Sequence, residues 1–278
     1  MSKRVVLLTG SELRHSFFRM YVSGNKDIDV IQTFCESRKG NLNEVVQKDG
    51  GVISHRMSHL AMREQTEKDF FEVFCQTVED RSKPKYIERG DINREDIVQE
   101  IKDLNPDVIV SYGCSLIKSS LLDDFEGRFM NIHLGLSPYY RGAGTNYWPF
   151  VEKEVHLVGT TFMYIDAGVD TGNIIHQLRA NVNYGDNVHQ IGNRLIRDAT
   201  IECVNLILSF NDLDKMEPLD FDVAREKYYR KKDFSEVSLD IMYTNFRENM
   251  ISKYLIEQDA LIRQSPIIQN TGLKSILV

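Results

Sequence analysis

The strongest chemical signal in the chain is the segment Phe129-Met130-Asn131-Ile132-His133-Leu134. It reads as the end of a buried strand. Side chains alternate across a strand, so Asn131 and His133 share one face. Two polar groups on an apolar strand are costly unless they are satisfied or used. In an open parallel sheet, ligand sites gather at the carboxyl ends of strands, where this pair falls. A second segment, Asp166-Ala167-Gly168-Val169-Asp170-Thr171-Gly172, lies between two expected strands. Its glycines let the backbone approach a ligand closely, and Asp170 is placed to point into a cleft. A third segment, Ser137-Pro138-Tyr139-Tyr140-Arg141-Gly142-Ala143-Gly144, is a loop able to close over that cleft. An amide, an imidazole and a carboxylate together are groups of oxyanion binding and proton transfer.

Such residues need a scaffold that brings strand ends together. Lys3 to Gly10 reads as a first strand, apolar on both faces through Val5-Val6-Leu7-Leu8. A second strand is expected at Ile28 to Ile31, a loop-rich stretch at 36–56, and a helix from Ser58 to Asp80. Asn93 is the expected cap of a helix carrying Ile97, Val98, Ile101 and Leu104, which Asn105-Pro106 stops. Strands follow at Asp107 to Gly113 and Arg128 to Leu134, with a short helix between them. Residues 135–150 read as a long loop. Two more strands are expected at Leu157 to Ile165 and Ile174 to Arg179. A long helix then begins after Asp186, with Val188, Ile191, Leu195, Ala199 and Val204 on one face. This rhythm predicts an α/β fold with a doubly wound, mostly parallel sheet. Beyond Phe210 a charged linker (211–236) precedes helical periodicity in Leu239, Met242, Phe246 and Met250. The expected division is therefore 1–210, a Rossmann-like catalytic domain, and 211–278, a small, mainly helical extension.

Composition narrows the function classes. The 278 residues carry 34 Lys+Arg against 41 Asp+Glu, a formal net charge of -7, which disfavours a dedicated nucleic-acid binder. No apolar run approaches the ~20 residues of a membrane span. The N-terminal apolar stretch is broken by Thr9-Gly10, so no signal peptide is expected. Cys35, Cys75, Cys114 and Cys203 are far apart and form no CxxC pair, which fits free thiols in a cytoplasmic protein.

The three segments together resemble the formyltransferases that use N10-formyltetrahydrofolate. The likeness lies in Asn131-Ile-His133, Pro138-Tyr-Tyr-Arg141-Gly142, Gly159-Thr-Thr161 and Asp166-Ala-Gly168-Val-Asp170-Thr171-Gly172, in that order and spacing. A weaker likeness extends from about residue 90 to 210. Where the family has Pro-Ser after the histidine, this chain has Leu134-Gly135. The loop Ala143-Gly-Thr-Asn-Tyr-Trp148 also departs from the tRNA and purine enzymes. Both departures bear on the acceptor.

The resemblance implies catalysis by Asn131, His133 and Asp170. Formyl transfer to an amine passes through a tetrahedral intermediate. Asn131 can donate to its oxyanion, a donor whose loss typically costs roughly a hundred- to a thousandfold in kcat. A carboxylate at Asp170 is expected to raise the His133 pKa. Which of the two takes the amine proton is left open. The resemblance also implies a folate site at Cys114, Leu116, Ile165, Asp166 and Ala167, with N10-formyltetrahydrofolate as co-substrate and no metal. Ser11, Tyr140, Arg141 and Trp148 are the candidate acceptor contacts.

Other motifs have bland readings. His55 and His59 have metal-ligand spacing without a third ligand. Gly10 to His15 is no GxGxxG, so a nicotinamide enzyme is poorly supported. The run Arg225 to Lys232 is expected as a solvated face, and Phe70, Phe71 and Phe74 as core or a partner contact. Among acceptors, tRNA is disfavoured by the acidic charge and the helical tail. The resemblance is greatest to sugar N-formyltransferases, so a nucleotide-linked amino sugar is the expected acceptor. A phosphoribosylglycinamide formyltransferase-like enzyme and a catalytically silent binding protein are the alternatives. A homodimer is expected only as the commonest assembly.

Overall fold

The computed structural model describes residues 2–37, 54–166, 168 and 170–273. In chain order its first elements are β1 (Lys3–Thr9), α1 (Leu13–Ser23), β2 (Ile28–Glu36), α2 (His55–Thr77), β3 (Pro84–Ile87) and α3 (Glu95–Leu104). Then come β4 (Val108–Tyr112), α4 (Ser119–Leu122), β5 (Phe129–His133), β6 (Tyr140–Gly142) and α5 (Trp148–Val151). The remainder is β7 (Gly159–Tyr164), β8 (Ile174–Arg179), α6 (Val188–Leu208), β9 (Lys227–Tyr229), α7 (Glu236–Arg247) and α8 (Met250–Gln264).

Seven strands form one sheet in the order β3-β2-β1-β4-β5-β7-β8. The pairs from β3 to β5 are parallel, while β5–β7 and β7–β8 are antiparallel. Strand β1 shows why two helical layers are needed. Val5 and Leu7 point to one face, against Phe18 of α1 and Cys203 and Ile207 of α6. Val6 and Leu8 point to the other, against Ile97 and Ile101 of α3 and Leu121 of α4. All four are fully buried, so neither face of the strand can meet water. The chain order reverses between β1 and β4, and a cleft opens at the carboxyl ends of strands flanking such a switch point.

Several local expectations change. Strand β2 runs five residues further than expected, to Glu36. Strand β3 was not expected, being a short, polar edge strand. Asn93 does not cap α3, whose N-cap is Arg94. Instead the Asn93 amide donates to the Leu116 carbonyl at 2.9 Å, and its oxygen accepts from the Lys118 N–H at 2.8 Å. Residues 135–150 are more than a loop, since they contain β6 and α5. Strand β9 pairs with β6, with Tyr140 opposite Lys227. The run Arg225 to Lys232 is thus not simply a solvated face. Lys227 meets Glu154 at 3.0 Å, and the Tyr229 hydroxyl donates to Glu152 at 3.0 Å. Most of the loop expected at 36–56 lies outside the described residues.

The helical tail packs on the sheet's own helices. Leu239 and Met242 of α7 and Met250, Ile251 and Tyr254 of α8 share a buried cluster with Val188, Ile191 and Leu195 of α6. Phe71 is buried against Phe17, with Phe70 and Phe74 around them, so this aromatic group is core.

Candidate active site

Strand β5 places Asn131 and His133 at the carboxyl edge of the sheet. Its neighbour β4 brings Ser111 opposite Asn131, and the Ser111 hydroxyl donates to Asn131 Oδ1 at 2.9 Å. That bond fixes which way the amide points and leaves Nδ2 as a donor toward the cavity that Asn131 lines.

Asp170 arrives from the connection between β7 and β8. Asp166 organises this turn, accepting from the Gly168 N–H at 2.9 Å and the Thr171 hydroxyl at 2.7 Å. Gly172 is required there, because a Cβ would lie 1.7 Å from the Tyr164 carbonyl oxygen. Asp170 itself adopts φ 53°, a left-handed conformation that costs a non-glycine residue free energy. The turn so held brings Asp170 Oδ1 to 3.3 Å from His133 Nδ1.

Burial dominates the histidine's protonation. His133 is 8% exposed. Desolvation lowers its pKa below the ordinary value, and the Asp170 charge and the Tyr140 backbone only partly oppose it. The expected rise is therefore reversed: the imidazole is held neutral, with Asp170 at its Nδ1 side.

These three residues line a cavity of about 690 Å³. One side is the loop after β4, where Cys114, Leu116 and Ile117 face Ile165 and Asp166. Leu116 is 59% exposed and lines the cavity, to which it offers an apolar face. Burial pushes the Cys114 thiol up to about 12, which removes it as a nucleophile near neutral pH. The loop is held from behind by Glu36, itself buried, which accepts from the Gly90 N–H at 2.9 Å and the Ser115 N–H at 2.6 Å. Ala167 lies outside the described residues.

The acceptor contacts expected from sequence do not gather here. Tyr140 is fully buried, donates to Glu154 at 2.5 Å and is absent from the cavity lining. Trp148 is stacked on Tyr229 at 4.0 Å between ring centroids, and its indole donates to the Ala143 carbonyl. Arg141 pairs with Glu226 at 3.0 Å. These three anchor the small β6–β9 sheet, whose pairing across the chain was not legible in the loop composition. Ser11 also stays off the lining, while Arg14, three residues on, reaches it and is bound by Glu67 through two bonds of 2.9 Å.

Sequence reasoning missed the residues that do form the far wall: His59 of α2, Tyr112 at the end of β4, and His189 and Asn193 of α6. The last two are one helical turn apart beside an apolar face, a spacing that could have marked them. His55 and His59 bind no common partner. His55 Nδ1 meets Asp240 at 2.6 Å, and His59 Nδ1 meets the Tyr243 hydroxyl at 2.9 Å. Among the described residues no cluster of three or more metal-ligating side chains occurs.

Residues 3–205 match the model of the family described as formyl transferase. Methionyl-tRNA formyltransferase from Halothermothrix orenii is 32% identical over 133 residues, 47% of this chain and 40% of that protein. The enzyme of the same name from Clostridioides difficile is 37% identical over 95 residues, 34% of this chain and 29% of that protein. The chain thus spans well under half the length of the curated relatives it matches. Among solved structures, a phosphoribosylglycinamide formyltransferase from Anaplasma phagocytophilum superposes with a TM-score of 0.54 at 12% identity, covering 83% of this chain and 100% of that one. A sugar N-formyltransferase from Shewanella sp. gives 0.53 at 16% identity, covering 86% of each chain. The structural likenesses speak for the fold, and the family match over most of the chain speaks for descent: this chain belongs to the formyl transferase family.

Proposed function

We propose that the chain transfers a formyl group from N10-formyltetrahydrofolate to a primary amine, carried by a nucleotide-linked amino sugar. The observation that carries the reaction is the convergence of Asn131, His133 and Asp170 on one cavity, with Ser111 turning the Asn131 amide donor inward. The folate co-substrate supplies an activated formyl carbon. The slot between Leu116, Ile117 and Ile165 offers it apolar walls, with backbone groups of Cys114 and Asp166 at the edges.

In this reading Asn131 Nδ2 donates to the formyl oxygen as the amine nitrogen bonds to carbon. Asp170 takes the proton that the amine loses, directly or through water. It is more exposed to the cavity than His133, at 16% against 9% for the side chains. A histidine kept neutral by burial is a weak base, so His133 donates its Nδ1–H to Asp170 and holds that carboxylate in place. The C–N10 bond then breaks and the folate nitrogen recovers a proton.

The amino-sugar assignment rests on the chain's acidic charge, on its own C-terminal helices and on the polar far wall of the cavity. Among the described residues no helix is long and apolar enough to cross a membrane. Four free cysteines support a cytoplasmic setting. The test is tetrahydrofolate release from N10-formyltetrahydrofolate with dTDP-, UDP- and GDP-linked amino sugars beside glycinamide ribonucleotide. Release that needs a nucleotide sugar and vanishes in Asn131→Ala supports the reading. Release with glycinamide ribonucleotide alone would move the chain to that acceptor, and no folate binding would overturn the reaction class.

A further inference from the structure

The far wall of the cavity holds polar atoms that the transfer chemistry does not use. Tyr112, His189 and Asn193 are each nine-tenths buried or more. Tyr112 Oη, His189 Nε2 and Asn193 Nδ2 have no hydrogen-bond partner among the described residues. All three residues line the cavity. Buried polar groups are nearly always satisfied, so three orphans on one wall point to a ligand that satisfies them.

This wall is braced by the C-terminal helix α7. The ring of His59 lies 4.7 Å from that of His189 between centroids. His59 Nδ1 is 2.9 Å from the Tyr243 hydroxyl of α7. Phe234, just before α7, packs against the same imidazole at 5.8 Å. Neither Tyr243 nor Phe234 lines the cavity. They act on it only by holding His59, which in turn stands against His189.

We propose that Tyr112, His189 and Asn193 form the subsite for the hydroxyl-bearing part of the acceptor, and that Tyr243 is the positioning residue that sets it through His59. The proposal rests on the amino-sugar reading and assigns residues to it. The chemistry of the wall favours hydroxyls over an anion. A phenol and a neutral imidazole each both donate and accept, and the amide donates. A sugar hydroxyl does both and matches such a set, whereas an oxyanion only accepts. Burial keeps the imidazoles uncharged, with pKa values of about 4 for His59 and about 3 for His189. Two cations line the cavity: Arg14 is already bound by Glu67, and Arg63, whose charge opposes protonation of both imidazoles, is exposed.

The experiment is steady-state kinetics with the nucleotide-linked amino sugar that wild-type protein turns over, at saturating N10-formyltetrahydrofolate. It compares Asn193→Ala, His189→Ala and Tyr243→Phe, and pairs the acceptor with its ring-deoxy analogue. A lost hydrogen bond is worth about two- to tenfold in KM. The acceptor KM should therefore rise by that factor in each variant, with the folate KM within about twofold of wild type. Wild type should bind the deoxy analogue correspondingly more weakly, and Asn193→Ala or His189→Ala should lose clearly less on going to the analogue than wild type does, an equal loss meaning that the side chain does not meet that hydroxyl. A merely structural role would raise both KM values or lower kcat for both acceptors alike. Unchanged acceptor KM in all three variants would overturn the subsite and leave the amino-sugar reading standing. Absence of turnover with every nucleotide-linked amino sugar would overturn that reading and the subsite with it. Tyr243→Phe keeps the packing of the ring, so it reports even where an alanine variant fails to fold.

Discussion

His133 Nε2 faces the Cα of Gly135, and a Cβ built on Gly135 would lie 2.7 Å from that nitrogen and 2.6 Å from Thr145 Cβ. The space that a side chain would take at residue 135 is thus filled by Thr145, whose hydroxyl bonds the Leu134 carbonyl. This accounts for both departures from the family pattern at once: the glycine after Leu134 and the altered loop after Arg141-Gly142 are two sides of one contact. Gly135→Ser should overpack this point. We expect a loss of about 1–3 kcal/mol in urea unfolding. Adding Thr145→Gly should recover part of it, with a coupling of at least ~0.5 kcal/mol. Additive losses in the double variant would refute the contact as the cause.

The Ser111–Asn131 bond makes a graded prediction about the oxyanion donor. Asn131→Ala should lower kcat by roughly a hundred- to a thousandfold with folate binding retained. Ser111→Ala keeps the amide but frees its rotation, so its effect should be smaller, about tenfold, and confined to kcat. Single-turnover rates at saturating folate separate the two. Equal losses in both variants would mean that Ser111 does more than orient the amide.

The convergence of Asn131, His133 and Asp170 was legible because these residues sit on strand ends and in a glycine turn, where sequence spacing maps directly onto geometry. Asn131 and His133 follow from strand alternation, and Asp170 from a turn that only glycines permit. The far wall of the cavity was not legible for the same physical reason. Tyr140, Arg141 and Trp148 looked like binding residues because aromatic and cationic side chains in a loop usually meet solvent or ligand. Here they are consumed by a strand pairing with β9, some 85 residues away in sequence. The lining residues His59 and His189 come from different helices and meet only once α2 and α6 are packed together, so no spacing within either helix marks the pair. Asn93 shows the same limit in miniature, since its cap sequence serves a tertiary contact to the 116–118 loop.

The buried histidines make stability depend on pH in a defined direction. Burial and the nearby Arg63 charge lower His59 to about 4. Burial lowers His189 to about 3, with His59 and Arg63 also opposing its charge. The facing groups Tyr147 and Tyr243 stay neutral in this range, as burial raises both phenols. Because the folded values lie below the unfolded value of about 6.5, the unfolded chain binds more protons as pH falls. Stability is fully present above about pH 6.5 and should be lost as pH falls from there to about pH 4 for His59 and about pH 3 for His189, by up to ~1.4 kcal/mol per pH unit for each histidine. Chemical unfolding at pH 7 and pH 5 should show the drop, and His189→Asn should flatten it. A pH-independent midpoint across this range would mean that the imidazoles are not desolvated as described.

Glu36 tests whether the 113–117 loop, the proposed folate wall, is held from behind. Its carboxylate is buried, and it receives the N–H groups of Gly90 and Ser115, one on each oxygen. Ser115 lies between Cys114 and Leu116, so this bond fixes the height of the leucine wall without touching the cavity's contents. Glu36→Ala removes both acceptors from N–H groups that water can reach, Gly90 being exposed and Ser115 half-buried, so each lost bond costs about 0.5–1.5 kcal/mol. Glu36→Gln keeps one oxygen for one of them. The expected order of affinity for 5,8-dideazafolate, followed by fluorescence quenching, is wild type, then glutamine, then alanine, with a total loss of about tenfold or more. Acceptor KM and the Asn131 dependence of kcat should stay as they are, because β5 does not rest on Glu36. Hydrogen exchange at residues 113–117 gives a reading independent of any ligand, and faster exchange in the alanine variant is the expected result. Wild-type affinity together with wild-type exchange in Glu36→Ala would show that the loop holds its shape without the carboxylate.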